Sequence, residues 1–191
     1  AVVDLAMSVP LGAGGLRFLT FVNGGGGVTA GFVGLKSHHT RGDMARAVVD
    51  AVAALHARHT ARLAAGGLPV SASTVLGGGA SDTRLVRLLA GLLGHPVERC
   101  ADDETGARGA AIYAAMSQGI DAAPLCAPCD TVEPDAGQAR AHADFNADFN
   151  ELITTMSPVF GHLAGHAPER APAPATPITA PVPVQQVEAL P

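Results

Sequence analysis

The chain has 191 residues, is 48% hydrophobic and only 4% aromatic, and carries a net charge of −5 at neutral pH. That length and apolar content suffice for one domain with a real core, while the acidic balance excludes an electrostatic surface for nucleic acid or anionic membrane. No apolar run approaches the roughly 20 residues of a membrane-spanning helix, and no charged segment precedes an apolar one at the start. A cytoplasmic setting is therefore expected. The chain opens on Ala1 within an apolar segment and is read as a piece of something longer.

Residues 1–35 are glycine-rich and read as extended, with a strand over Leu16–Val22, a loop over Asn23–Gly27 and a further segment at Phe32–Leu35. From Thr40 or Asp43 to about Ala65, apolar residues recur at helical spacing (Met44, Ala47, Val48, Ala51, Val52, Leu55), and Gly66–Gly67 closes that helix. Val70–Leu76 reads as a strand, Gly77–Gly78–Gly79–Ala80 as a turn, and Ser81 or Asp82 as the N-cap of a helix running to Gly94. Pro96–Cys100 is short and extended, Ala107–Gln118 a helix, and a last helix runs from about Ala139 to Met156, before Pro158. Helices alternating with strands over short connections argue an α/β fold with a mixed sheet flanked by helices. After residue 166, half of the chain's 14 prolines fall in an Ala/Pro/Val tail. The expected division is thus a domain over 1–166 and a disordered tail over 167–191.

The glycine turn carries the chemistry. A strand that breaks on glycines before a helix places bare backbone beside the helix's positive end, a geometry that accepts nucleotides. Glycine suits it because a Cβ would hold a flat base or a phosphate away from the backbone. The other candidates are weaker. Cys126–Ala127–Pro128–Cys129 has the spacing of a redox or zinc pair but lies between prolines, and an odd total of three cysteines makes no disulfide framework, so the pair reads as loop cysteines. His56 and His59, at i and i+3, read as a solvated helix face, His38–His39 as part of a helix start, and Asp102–Asp103–Glu104 as a helix start rather than a magnesium site.

Four stretches, taken in order, resemble the C-terminal domain of the FGGY carbohydrate kinases. GGLRFLTFV (14–22) resembles the family's GLxFLPYL, and GFVGLKSHHTRGDMARAVVDAVAALHARH (31–59) its GxFxGLxxxHTRAHLxRAVxEGVAFxxR helix. STVLGGGASDTRLVRLLAGLLGHPV (73–97) resembles the adenosine-binding strand, turn and helix, and DDETGARGAAIYAAMSQGI (102–120) the closing ExGAxGAAxxAAxxxG helix. ADFNADFNELITTMSPVFGHL (143–163) is similar to the terminal helix, so the likeness spans nearly all of 12–163.

The resemblance implies a partial ribonuclease-H-like, actin-like ATPase domain that binds ATP with Mg²⁺ and serves transfer of the γ-phosphate to a hydroxyl of a sugar or polyol. It implies ATP contacts at Gly77, Gly78, Gly79 and Ala80, with Thr83 as a weaker transfer. Glu104, Gly106, Ala107, Gly109 and Ala110 match the closing motif and are read as small residues packing a helix onto the sheet. The catalytic Asp is expected upstream of Ala1, because Asp4 lacks the Gly-containing setting of the family's base. The sugar or polyol is expected on an N-terminal domain absent from this stretch, so this chain alone is expected to be inactive; a homodimer is left open. A pentulose such as xylulose is the favoured acceptor, although Arg87 and Gly91, standing where the family carries Gln and Asp, resemble the polyol kinases better. Two rival readings stand beside this one: another actin-like ATPase lobe, and a truncated, inactive remnant acting as an interaction module.

Overall fold

The computed structural model describes residues 2–21, 28–100, 104–126 and 129–165. The Asn23–Gly27 loop, Asp102, Asp103 and the 167–191 tail of the sequence reading lie outside the described residues.

The helix on which the rest of the helical body packs is α2 (Arg41–Ala65), and its start is fixed locally. Thr40 Oγ1 accepts from the Asp43 backbone N–H at 3.3 Å, while the Asp43 carboxylate accepts from the Thr40 N–H at 2.7 Å. Both bonds satisfy first-turn donors, the reciprocal arrangement of a capping box. The buried face of α2 is mostly alanine (Ala47, Ala51, Ala53, Ala54, Ala57), so neighbouring elements approach closely. Against it pack α1 (Val2–Met7), β1 (Arg17–Leu19), α3 (Thr83–Leu93) and α5 (Ala139–Gly165). On α5 the tetrad Ala–Asp–Phe–Asn occurs twice in succession at 143–150, and a spacing of four places Phe145, Phe149 and Ile153 on one face. All three are buried in the main core with Leu19, Val28, Leu88 and Leu92.

One charged pair is buried in this body. Asp50 is fully buried and receives Arg46 Nε at 2.7 Å and the Gly12 backbone N–H at 2.8 Å. Burial pushes the Asp50 carboxyl up, and the Arg46 guanidinium pulls it back toward the charged form. The pair fastens the turn after α1 onto α2.

The strands form two sheets. β1 pairs antiparallel with β2 (Gly31–Val33), with Phe18 opposite Phe32. β3 (Ser73–Leu76), β4 (Val97–Cys100) and β5 (Asp130–Val132) form a three-stranded sheet in that order, β3 parallel and β5 antiparallel to β4. The sheet is mixed, as expected, with β3 along one edge. Beneath β3, an apolar cavity of about 270 Å³ is walled by Val49, Val52 and His56 of α2 and by Leu85 and Leu89 of α3.

The structure corrects four sequence expectations. Residues 2–7, read as extended, form α1: Ala6 is fully buried, and the helix is seated at Gly42 of α2, where a Cβ would stand 3.0 Å from Val9. The last helix does not stop before Pro158 but continues to Gly165. Proline there forfeits one backbone bond, while Met156 and Phe160 on either side pack against the core. β5, absent from the sequence reading, extends the ladder, and its register (Val97 opposite Val132, Arg99 opposite Asp130) carries Cys129 opposite Cys100. These two are disulfide-bonded, leaving Cys126 as the free thiol. Finally, α4 (Thr105–Ser117) has no buried residue, so Gly106, Ala107, Gly109 and Ala110 are not packed on the sheet; a Cβ at either glycine would meet nothing within 4 Å.

Candidate functional site

The glycine turn stands at the carboxyl end of β3, where open α/β sheets place their ligands. Gly77–Ala80 form a single 3-10 turn between β3 and α3. Gly77 has φ +69°, a left-handed conformation that disfavours any side chain, and its missing Cβ faces Thr105 Oγ1 of α4 at 3.4 Å. Gly78 and Gly79 differ. Neither has a positive φ; a Cβ on Gly79 would make ordinary contact with Val75 at 3.7 Å, and one on Gly78 would meet nothing within 4 Å. The described residues therefore leave Gly78 free to be larger, and none of them covers the bare backbone there. Ala80 is fully buried and roots the turn.

After the turn, Ser81 Oγ donates to the Gly78 carbonyl at 2.7 Å, and Asp82 is the N-cap of α3, accepting from the Arg84 backbone N–H at 2.9 Å. Of the two cap candidates, Asp82 is the one that caps the helix. The Arg84 side chain lies between two carboxylates, 2.6 Å from Asp82 and 2.7 Å from Asp4 of α1. Its hydrogen bonds hold the Asp82 carboxyl down to about 2. A carboxylate thus already occupies the positive end of α3, which disfavours a second anion there.

Thr83 stands apart from the four turn residues. Its hydroxyl oxygen accepts from Arg99 Nη1 at 2.9 Å, and Arg99 Nε is 2.9 Å from Asp130, so Thr83 is tied to the sheet across β4 and β5. Asp4 is engaged with Arg84, whose hydrogen bond holds its carboxyl below the ordinary range. His56 and His59 are exposed on α2, as expected. Among the described residues, no group of three or more His, Cys, Asp or Glu converges as a metal site, and no helix is long and apolar enough to cross a membrane. The sequence reading missed the neighbour of the turn, Thr105, because the likeness of 102–120 to the family's closing helix drew attention to its glycines rather than to its first residue.

The fold and the turn define a class: a mixed α/β lobe with a glycine-rich turn closing its edge strand β3. Comparison with known proteins places it. Residues 18–118 match the FGGY family of carbohydrate kinases, C-terminal domain. The chain belongs to that family. It is 33% identical over 116 residues to the L-xylulose/3-keto-L-gulonate kinase of Escherichia coli K12, a stretch covering 59% of this chain and 23% of that protein. It is 38% identical over 139 residues to a glycerol kinase of Gloeobacter violaceus, covering 67% of this chain and 28% of that one. Among solved structures, the xylulose kinase of Rhodospirillum rubrum superposes with a TM-score of 0.67 at 30% identity, over 83% of this chain and 34% of that chain. A gluconate kinase of Lactobacillus acidophilus shares the fold, with a TM-score of 0.68 at 21% identity, over 85% of this chain and 35% of that chain. The chain spans about a quarter of the length of the curated relatives it matches. The actin-like ATPase fold expected from the sequence is the fold observed.

Proposed function

We propose that this chain is the nucleotide-holding lobe of a carbohydrate kinase, with Gly77, Gly78, Gly79 and Ala80 against the adenosine moiety of ATP. The observation that carries this reading is Gly78: its backbone conformation is ordinary and a Cβ placed on it would meet no atom of the described residues within 4 Å, so none of them accounts for its small size, which suits close approach of a flat base. Gly77 shapes the turn through its positive φ, and buried Ala80 anchors it. The Asp82 carboxylate at the α3 N-terminus favours the uncharged base and ribose over the phosphates at this spot. Thr83, with its oxygen committed to Arg99, steadies the start of α3 against the sheet. When bound, ATP supplies the γ-phosphoryl group, with Mg²⁺ offsetting its charge. This lobe's share of the chemistry is to hold and orient the nucleotide.

The acceptor of the whole protein is a hydroxyl of a sugar or polyol; relatives named xylulose kinase and glycerol kinase support that range, with a pentulose such as xylulose favoured. Positioning of that hydroxyl, the larger part of phosphoryl-transfer catalysis, is assigned to the remainder of the protein, in an intracellular metabolic setting. Calorimetric titration of ATP with Mg²⁺ into this chain and into Gly78→Val tests the site. Expected is micromolar-to-millimolar binding that weakens at least tenfold in the variant while its thermal transition is unchanged. A folded Gly78→Val protein that binds ATP as well as the parent overturns the assignment.

A further inference from the structure

Two threonine hydroxyls stand beside the glycine turn, and they are not equivalent. That of Thr83 is committed to the sheet through Arg99. That of Thr105 has no hydrogen-bond partner among the described residues, although its oxygen lies 3.4 Å from the position a Cβ on Gly77 would occupy. The oxygen is not sealed in either, so it is reachable from outside. Its direction is set by the helix that carries it. Thr105 opens α4, and the half-buried residues of that helix are Thr105, Arg108, Ile112 and Ala115. Spacings of three and four place them on one face, and Thr105 heads that stripe. Arg108, the next residue along it, donates to the Leu125 carbonyl at 2.9 Å.

We propose that the Thr105 hydroxyl is a further nucleotide-binding group of this lobe, hydrogen-bonding a ribose hydroxyl of ATP. The inference rests on the reading of Gly77–Ala80 as the adenosine site. Three observations carry it. The hydroxyl flanks Gly77, one residue from Gly78, whose backbone no described residue covers. Gly77 itself has no side chain to stand in front of that hydroxyl. The Asp82 carboxylate at the start of α3 disfavours phosphates at this end of the sheet, which leaves the uncharged nucleoside as the part of ATP held there.

The choice of ribose over base follows from the chemistry of a hydroxyl. It rotates about its C–O bond and serves as donor or acceptor equally well. Such a group does not distinguish the donor and acceptor edges of different purines. It does match a sugar hydroxyl, which also both donates and accepts, and it loses a bond when that hydroxyl is missing. The polar contact that the family likeness assigned to Thr83 thus falls to a threonine on another helix, while Thr83 holds α3 to the sheet. Thr105 acts in binding and orientation only; it takes no part in bond making or breaking.

Calorimetric titration of the full 191-residue chain tests the contact, with ATP, 2′-deoxy-ATP and 3′-deoxy-ATP as ligands, each with Mg²⁺. Thr105→Val keeps the shape and removes the hydroxyl, Thr105→Ser keeps the hydroxyl, and the thermal midpoint of each variant reports whether it is folded. Thr105→Val is expected to weaken ATP binding about two- to tenfold, the range of one net hydrogen bond. One of the two deoxynucleotides should bind the parent more weakly by a similar factor, yet bind Thr105→Val as well as ATP does. Thr105→Ser should restore the affinity and the preference for ATP. Parent-like ATP binding by Thr105→Val, an equal loss for all three nucleotides, or a serine variant as weak as the valine one each overturns the proposal while leaving the glycine-turn assignment in place. A folded parent chain that binds no ATP overturns both.

Discussion

The helical body and the carboxyl end of the three-stranded sheet are built on opposite plans. In the body, α2, α3 and α5 enclose large side chains completely, with Phe149 1% exposed and Ile153 2%. At the sheet end the buried cluster is four small-to-medium residues, Val86, Ala90, Val97 and Val132, and the helix beside it buries none. Tyr113 on that helix is 78% exposed. Stability therefore resides in the body, while the sheet end presents bare backbone at Gly78 and a covalent link at Cys100. The division is physically reasonable, since a surface that must receive a ligand cannot also be filled by its own side chains.

The comparison is broken most directly through Phe149. Its ring is fully buried and stacks on Phe145 with centroids 6.4 Å apart. Phe149→Ala is expected to cost about 3–5 kcal/mol, read as a lowered midpoint in urea or thermal denaturation. Tyr113→Ala at the sheet end is expected to stay within about 0.5 kcal/mol of the parent. Comparable losses from the two substitutions would show that the sheet end shares the burden of stability.

A smaller effect is expected where α3 meets α5. A Cβ on Gly91 would stand 2.4–2.9 Å from atoms of the His142 imidazole, which is buried, with Nδ1 unpaired. Burial also holds that imidazole below its ordinary value. Gly91→Ala gains helix propensity, about 1 kcal/mol, but must displace a rigid ring, and overpacking costs of about 1–3 kcal/mol are usual. The net expectation is destabilisation in Gly91→Ala that disappears or reverses in Gly91→Ala/His142→Ala. A double-mutant cycle by chemical denaturation measures that coupling; additivity would show that the ring moves aside freely.

The Gly91–His142 contact also shows what the sequence could and could not disclose. Gly91 was legible as a departure from the family's pattern, but the reason for it lies on α5, more than fifty residues on, and no local signal links the two. Elements with local punctuation were legible: the Thr40–Asp43 cap, Gly66–Gly67 and Gly94 bound their helices where expected. The glycine turn was legible because its signal is a short run of one residue type at a strand's end. α1 was not, because Val2 and Val3 favour extended structure locally and the helix is fixed by docking at Gly42. β5 is three residues long and owes its form to pairing with β4, so the opposition of Cys100 and Cys129 was invisible with it. The exposure of Gly106 and Gly109 was missed for a related reason: small residues in a helix suit close packing, but whether anything packs there is a property of the whole molecule.

The smallest expected effect lies at the junction of the two regions, the cap that starts α3. Asp82→Ala removes the bond to the Arg84 N–H and one of the two carboxylates beside the Arg84 guanidinium. Loss of such a cap costs about 1 kcal/mol. The pH dependence separates the cap from simple repacking. The Asp82 carboxyl is held at about 2, below the ordinary 3.8, so on acidification the unfolded chain takes up this proton before the folded one does. The stabilisation is complete above about pH 4 and is lost as the pH falls toward 2. Asp82→Ala should therefore be less stable than the parent at neutral pH and converge on it in acid, with a shallower slope between. Asp4 and Asp43, also held low by their partners, keep that slope from vanishing. If the two proteins ran parallel from neutral pH to pH 2, Asp82 would be contributing shape rather than charge, and the positive end of α3 would be open to an anion after all.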